Sequence, residues 1–244
     1  MGDISIGRGD SGIAVHGTVT YDPEKAELTY KYNDSKKTAE FEFELDWDSD
    51  DNNDNDDETD ENEGSLCELY FTDDIPLDLS LHIGLGDGEL DLNKLQISSL
   101  SVENGLGDAE IDFGDGGNRT LCSKIDINTG LGTAEVKNLG NSNAQEMEFE
   151  CGLGSMELDF SGKINHDVSI EISVGLGSID IEIPKGTNVI FDHDANFMSS
   201  VDLEDFVELK NGKYRSEDFR EGKPTLYFSA SVGMGSIDLT WIDR

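Results

Sequence analysis

The stretch Met147-Glu148-Phe149-Glu150-Cys151-Gly152-Leu153-Gly154-Ser155-Met156-Glu157-Leu158-Asp159-Phe160 decides the fold. Apolar and polar residues alternate up to Cys151, the pattern of a strand with one buried face. They alternate again from Met156 to Phe160, on the opposite parity. A parity change inside an extended run means that one residue is absorbed in a bend. The bend falls at Gly152-Leu153-Gly154, because glycine reaches φ values closed to other residues. The unit reads as two short strands meeting at a corner, both facing inward, with Leu153 keeping the inward parity of the first strand.

The same phrase returns at Gly84-Leu85-Gly86, Gly105-Leu106-Gly107, Gly130-Leu131-Gly132, Gly175-Leu176-Gly177 and Gly233-Met234-Gly235. A weaker copy, Ser200-Val201-Asp202-Leu203, fills the long gap before Gly233, and Gly2-Asp3-Ile4-Ser5-Ile6 reads as a further copy. Self-similarity at such intervals is the mark of stacked coils, in which no unit buries its own apolar face and each needs its neighbours. The fold class expected is all-β, a single-stranded parallel β-helix, that is, a solenoid with GLG corner repeats. Residues 74–244 form its repeat region. Residues 1–73 form an N-terminal β region that holds the first coils and an acidic insertion at 48–64. A dinucleotide-binding glycine loop is a poor fit, because that motif must open a helix and every copy here runs on into strand-like alternation.

Before the repeats, Tyr21-Asp22-Pro23-Glu24-Lys25 reads as a turn between strands at 15–20 and 26–32, and Asn33-Asp34-Ser35-Lys36 as a second turn. Phe41, Phe43 and Leu45 alternate with glutamates as in a half-buried strand. Residues 66–72 form the partner of that strand or the next coil. The insertion 48–64 has nothing apolar to bury and is expected as a disordered, solvated loop. An EF-hand loop fits it poorly, since Asn55 stands where the sharp-turn glycine belongs and no helices flank it. Around Asn211-Gly212 a small hairpin is expected, in a segment that gathers Lys210, Lys213, Arg215, Arg220 and Lys223.

The chain carries 17 Lys and Arg against 54 Asp and Glu, a net charge of −37 over 244 residues. Such a charge repels nucleic acid and anionic lipid and favours cations or basic polypeptides. No apolar run is long enough for a membrane helix, so direct membrane insertion of this segment is not expected. Cys67, Cys122 and Cys151 are odd in number and irregularly spaced, which points to buried thiols rather than to disulfides or zinc.

The fifth residue after each first glycine is acidic and on the outward parity: Glu89, Glu110, Glu135, Glu157, Asp180 and Asp238. Stacked coils bring these within about 4.8 Å of their neighbours. Carboxylates so spaced repel, and a row of them calls for water, salt, a cation or a basic partner. The six are therefore the candidate partner-binding residues. Glu110, Glu135, Glu157, Asp54 and Asp56 are the candidates for a weakly bound calcium, the one cofactor the sequence leaves open. Catalytic residues are not indicated. His16, His82, His166 and His193 form no metal motif, and no nucleophile elbow or local Cys–His signature is present. His82 is expected in solvent and His193 at a turn.

Repeated GLG-[DST]-x-[DE]-aliphatic units, Ile75-Pro76-Leu77-Asp78-Leu79 and a closing Phe228-Ser229-Ala230-Ser231-Val232-Gly233-Met234-Gly235-Ser236-Ile237 resemble the bacterial toastrack domains. These are found at the C-terminus of LiaF-like envelope-stress regulators and in related adhesin-like proteins. The resemblance runs over residues 2–241 and implies a single-stranded β-helix without catalytic residues, acting in sensing or assembly at the cell envelope. The expected function is thus a non-enzymatic binding or scaffolding domain of an envelope-associated protein, its partner a basic protein or peptide. Self-association through the open solenoid ends is a further expectation. An adhesin-like module for cations or glycans and a carbohydrate-active β-helix enzyme are the alternatives. The location implied is the bacterial envelope, as a domain trimmed from a membrane-associated or exported protein, with the cytoplasm as the alternative.

Overall fold

A computed structural model describes residues 2–23, 26–34, 39–47, 65–195, 200–210 and 212–243. The acidic stretch 48–64, with Asp54 and Asp56, lies outside the described residues. The N-terminal region supplies β1 (Gly2–Arg8), β2 (Val15–Thr20), β3 (Ala26–Asp34), β4 (Ala39–Trp47) and β5 (Ser65–Phe71). Five coils follow, each a strand before a corner and a strand after it. They are β6 (Pro76–Leu85) with β7 (Gly88–Asp91), β8 (Gln96–Leu106) with β9 (Asp108–Asp112), β10 (Cys122–Thr129) with β11 (Thr133–Lys137), β12 (Ala144–Cys151) with β13 (Ser155–Asp159), and β14 (Val168–Val174) with β15 (Ser178–Pro184). A further coil, β16 (Asn188–Ala195) with β17 (Ser200–Leu203), leads into the hairpin β18 (Phe206–Glu208) and β19 (Tyr214–Ser216). The chain closes with β20 (Thr225–Val232) and β21 (Ser236–Ile242). Among the described residues no helix is long and apolar enough to cross a membrane.

The strands before the corners stack into one sheet of nine, in the order β18-β19-β16-β20-β14-β12-β10-β8-β6. The strands after the corners stack into a sheet of ten, β17-β21-β15-β13-β11-β9-β7-β1-β5-β2, and β3 pairs with β4 in a separate antiparallel ribbon. Pairing between coils is parallel and in register, Met147 opposite Ile125 and Ile170, Met156 opposite Ala134 and Ile179, with one shift between Leu77 and Asp78 where β6 meets β8. The alternation explains this. In β14, Val168, Ile170, Ile172 and Val174 are buried while Ser169, Glu171 and Ser173 stand in solvent. A shift of one residue would expose the whole apolar set, so the register is fixed by burial. The inward faces of the two sheets form one core along the solenoid, with Phe113, Phe149, Phe160 and Phe191 among its fully buried side chains. Burying each such ring stabilises the fold by about 1.5–3 kcal/mol. Cys67, Cys122 and Cys151 are buried free thiols in this core, and burial pushes Cys67 and Cys122 up to about 11.

The structure departs from three of the sequence expectations. The weak copy Ser200–Leu203 does not lie between the two copies that flank it in sequence. β21 pairs with β15 on one side and β17 on the other, and β20 pairs with β14 and β16. The last coil of the chain is thus inserted beneath the coil that precedes it. Packing shows why: Phe228 of β20 meets Phe160 edge-on at 5.5 Å and Phe191 face-on at 5.4 Å, filling the core between them. Second, Leu85, Leu106, Leu131, Leu153, Leu176 and Met234 are not inward. They are 42–56% exposed, while the residue before each first glycine is buried. The turn begins one residue earlier than parity suggested and swings the middle residue of the corner outward. Third, His193 lies within β16 rather than at a turn, its ring stacked on Tyr214 at 5.4 Å.

The corner glycines are required chiefly by close approach. Only Gly86 and Gly107 among the second glycines have a positive φ, +141° in each. At Gly132 and Gly154 a Cβ would stand 1.8 Å from the carbonyl oxygen of the corner below. Stacking corners this tightly leaves no volume for any side chain.

The N-terminal copy continues the ten-stranded sheet, Ile4 opposite Gly88 and Ile6 opposite Leu90. β5 lies beyond β1 and β2 closes the sheet antiparallel to β5. Residues 66–72 are therefore the next layer of the solenoid rather than the partner of β4. The basic hairpin forms as expected, Glu208 opposite Tyr214, with Leu209 and Gly212 closing its turn. It stands antiparallel to β16, and Lys213 meets Asp192 at 2.8 Å.

Candidate functional site

The site begins with strand parity. In β7, β9, β11, β13, β15 and β21 the residues at even steps from the glycine enter the core, so the fifth residue must point away from it. Glu89, Glu110, Glu135, Glu157, Asp180 and Asp238 all do so, and the registers set each opposite the next: Glu89–Glu110, Glu110–Glu135, Glu135–Glu157, Glu157–Asp180 and Asp180–Asp238. Sequence reasoning had named these six and the structure brings them into one row. It had not extended the row. Asp202 of β17 lies opposite Asp238, so a seventh carboxylate follows. At the other end Ser5 is opposite both Glu89 and Glu68, a neutral step and then another acid. The signal was present, because Gly2–Ile6 and Ser200–Leu203 were recognisable copies whose fifth positions are Ser5 and Asp202.

Two residues further along each strand a second outward row runs parallel to the first, with Asp91 opposite Asp112, Lys137 opposite Asp112, and Asp159 opposite Glu182. Lys137 is the residue that matters for the first row. Its ammonium lies 2.6 Å from Glu110 and 3.0 Å from Glu135, and those contacts, Glu110 first, hold its pKa above the usual lysine range. The position that a bound ion would take between Glu110 and Glu135 is thus filled by a side chain. Among the described residues no lysine or arginine bridges the C-terminal half of the row in this way. Asp180 is raised above the usual carboxylate range by burial and then by Asp238, and Glu182 by burial and then by Glu157, Asp159 and Asp180.

Before the row, the third positions are tied together. Thr133 Oγ1 donates to Asp108, the Asp108 amide to Asp87 Oδ1 at 2.9 Å, and the Asp87 amide to Asp3 Oδ1 at 3.0 Å. These bonds tie the four layers of β1, β7, β9 and β11 together through their third positions, while the fifth-position carboxylates stand outward beside them. Between the two lies a shallow open groove of about 700 Å³, walled by Asp3, Asp87, Glu110, Glu135, Glu157 and Asp180 among others. Among the described residues, no three His, Cys, Asp or Glu side chains converge closely enough to hold a metal ion. His82 stands in solvent and meets Glu103 at 3.0 Å. In the sequon Asn118-Arg119-Thr120, the Asn118 amide donates to Ile97 O at 2.7 Å and Ser142 O at 2.8 Å, tying two coils together.

Comparison with known proteins follows the repeat. The family model described as the N-terminal domain of toast_rack, DUF2154, matches residues 1–137. No curated protein matches the chain. Among solved structures, the crystal structure of a candidate cell adhesion protein from Clostridium sporogenes ATCC 15579 matches with 16% identity and a TM-score of 0.46, over 99% of this chain and 88% of that one. The family match covers more than half of the chain and includes the N-terminal strands as well as the first three GLG corners. The chain belongs to the toast_rack family.

Proposed function

We propose that this domain is a non-catalytic recognition module of the bacterial cell envelope, serving in stress sensing or assembly, and that its acidic face takes a basic segment of a protein partner. One observation carries the reading: an unbroken row of seven carboxylates, from Glu89 to Asp202, stacked in register on one sheet with Lys137 bridging two of them. Charges about 4.8 Å apart lie well inside the screening length of about 8 Å, so they repel even where the side chains stand in solvent. A partner that brings lysines or arginines along the row removes that repulsion, so binding gains from relief of strain as well as from attraction. Family membership supports the envelope setting.

The test is isothermal calorimetry with a lysine-rich peptide in about 150 mM salt, near the ionic strength at which exposed charges are screened beyond about 8 Å. The intact chain is expected to bind saturably, and Glu110→Gln/Glu135→Gln/Glu157→Gln to lose that binding. Equal binding by the triple variant would refute the reading. Calcium is titrated in parallel. A saturable calcium heat with a raised Tm would assign the row to an ion instead, because a ligand bound only by the native state stabilises it.

A further inference from the structure

The middle residue of all six corners is apolar, yet no corner buries it. Leu85, Leu106, Leu131, Leu153, Leu176 and Met234 are each about half exposed. Their backbones are stacked: Leu85 lies opposite Leu106, and the amides of Leu131, Leu153, Leu176 and Met234 donate to the first glycine of the corner beneath at 2.8–2.9 Å. The side chains therefore form one ridge with a pitch of about 4.8 Å and a length of about 24 Å. The inverted order of the last coils keeps it whole. Met234 follows Leu176 directly in space, although the coil of β16 and β17 separates them in sequence.

The fold draws little from these side chains, since each leaves about half its surface in water, and glycine rather than leucine makes the corner. A contiguous exposed apolar strip rimmed by polar groups is the signature of an interaction surface. The rim is acidic on one flank, where Asp87, Asp108 and the carboxylate row lie. On the other flank Glu103 and Glu150 alternate with His82, Asn128, Ser173 and Ser231, Glu103 meeting His82 at 3.0 Å and Glu150 accepting from Asn128 at 3.1 Å. The charge of the first flank selects the occupant. A second copy would set a net charge of −37 against its like, and an anionic lipid surface would be repelled by the same charge. A basic polypeptide with an apolar stripe is complementary in both respects. The ridge pitch of about 4.8 Å lies close to the 5.4 Å turn of an α-helix, so a helix of about 16 residues can lay its stripe along the whole ridge.

We infer that the leucine ridge docks a basic amphipathic segment of a partner protein, its apolar stripe on Leu85–Met234 and its cations over the flanking carboxylates. This rests on the function proposed above and divides the labour: the carboxylates supply attraction, the ridge selects for an apolar stripe.

The test uses the full chain, a Leu/Lys peptide of about 16 residues with leucine on one helical face, and an oligo-lysine of equal charge. The Leu/Lys peptide is expected to bind roughly tenfold or more tighter than oligo-lysine, from burial of the ridge leucines. Leu131→Ser/Leu153→Ser is expected to erase that difference while leaving oligo-lysine affinity and Tm unchanged. Unchanged Leu/Lys affinity in this variant would overturn the ridge and leave the carboxylate reading standing. Failure of both peptides to bind the intact chain would overturn both. Two further results would overturn the assignment: a concentration-dependent dimer of the intact chain that the leucine variant abolishes makes a second copy the occupant, and binding to phosphatidylglycerol vesicles that the variant abolishes makes it a membrane.

Discussion

At the scale of single residues, what a corner glycine does depends on its place in the stack: the first glycines from Gly105 to Gly233 also face backbone at 2.6–2.9 Å, and Gly84, in the edge strand β6, does not. A Cβ on Gly84 meets nothing within 4 Å, whereas on Gly154 it would stand 1.8 Å from Gly132 O and 3.0 Å from its carbonyl carbon. Backbone cannot step aside here without pulling two coils apart and loosening the hydrogen bonds on either side of the corner. Gly154→Ala is expected to destabilise by about 2–3 kcal/mol, the range for forced overpacking. Gly84→Ala should stay within about 0.5 kcal/mol of the parent, as for an unconstrained surface site. Paired urea denaturation of the two variants checks this, and equal losses would show that the glycines serve flexibility rather than close approach. This requirement was invisible in the sequence. Gly-Leu-Gly announced a bend, but which atoms crowd it depends on the corner of a different coil.

At the scale of strands, most of the architecture was legible. Period-two alternation located the strand pairs, and the parity change located every corner, because burial on one face is a local pattern that stacking merely repeats. The outward row Glu89 to Asp238 followed from the same parity. What was not legible depended on turn geometry and on neighbours. The outward swing of the corner leucines reversed a parity argument that holds only within a straight strand. Lys137 was not noticed, because its importance comes from Glu110, a residue of another coil that it reaches across the sheet. The C-terminal half of the row makes a separate prediction. Asp180 is raised above the usual carboxylate range by burial and by Asp238, so the folded chain holds this proton more tightly than the unfolded chain does. Ionised Asp180 therefore costs stability above its folded pKa, and the cost vanishes as pH falls through that value. Asp180→Asn should raise Tm modestly at neutral pH, by an amount equivalent to no more than about 0.5 kcal/mol. The gain should disappear near pH ~3, below the ordinary carboxylate range. A Tm gain of equal size at both pH values would place its origin in packing rather than charge.

At the scale of the whole molecule, the order of the coils departs from that of a simple solenoid at both ends. β1 lies between β7 and β5, and β20 and β21 lie between the coil of β14 and β15 and that of β16 and β17. The outermost strands are β2 and β17 in one sheet and β18 and β6 in the other; β2 and β18 run antiparallel to their neighbours, which blunts those two edges against further parallel stacking. In a sequentially stacked repeat protein, deleting the last coil removes one interface and leaves the rest standing. Deleting residues 224–244 here removes two. It uncovers β14 and β15, and it strips β16 of its pairing from Asn188 to Ala195 and Phe191 of its stack on Phe228. Trp241 also leaves, and with it the bond from its indole to Glu204 O at 2.9 Å and its stack on Phe206. Among the described residues β16 then keeps the short antiparallel bridge to β19, the Lys213–Asp192 pair, the stack of His193 on Tyr214, and polar bonds from Asn188 to Arg220 and from the Val189 amide to Ser216, too little apolar area to hold an isolated coil. Hydrogen exchange on the truncated chain is expected to show loss of protection across residues 188–216 and retention across β8 to β13. The alternative is physically available, since β16 carries the same alternation as β20 and could drop one level onto β14. Protection retained at 188–203 would mean that this re-docking occurs, and that the inverted order is a preference of packing rather than a condition of folding.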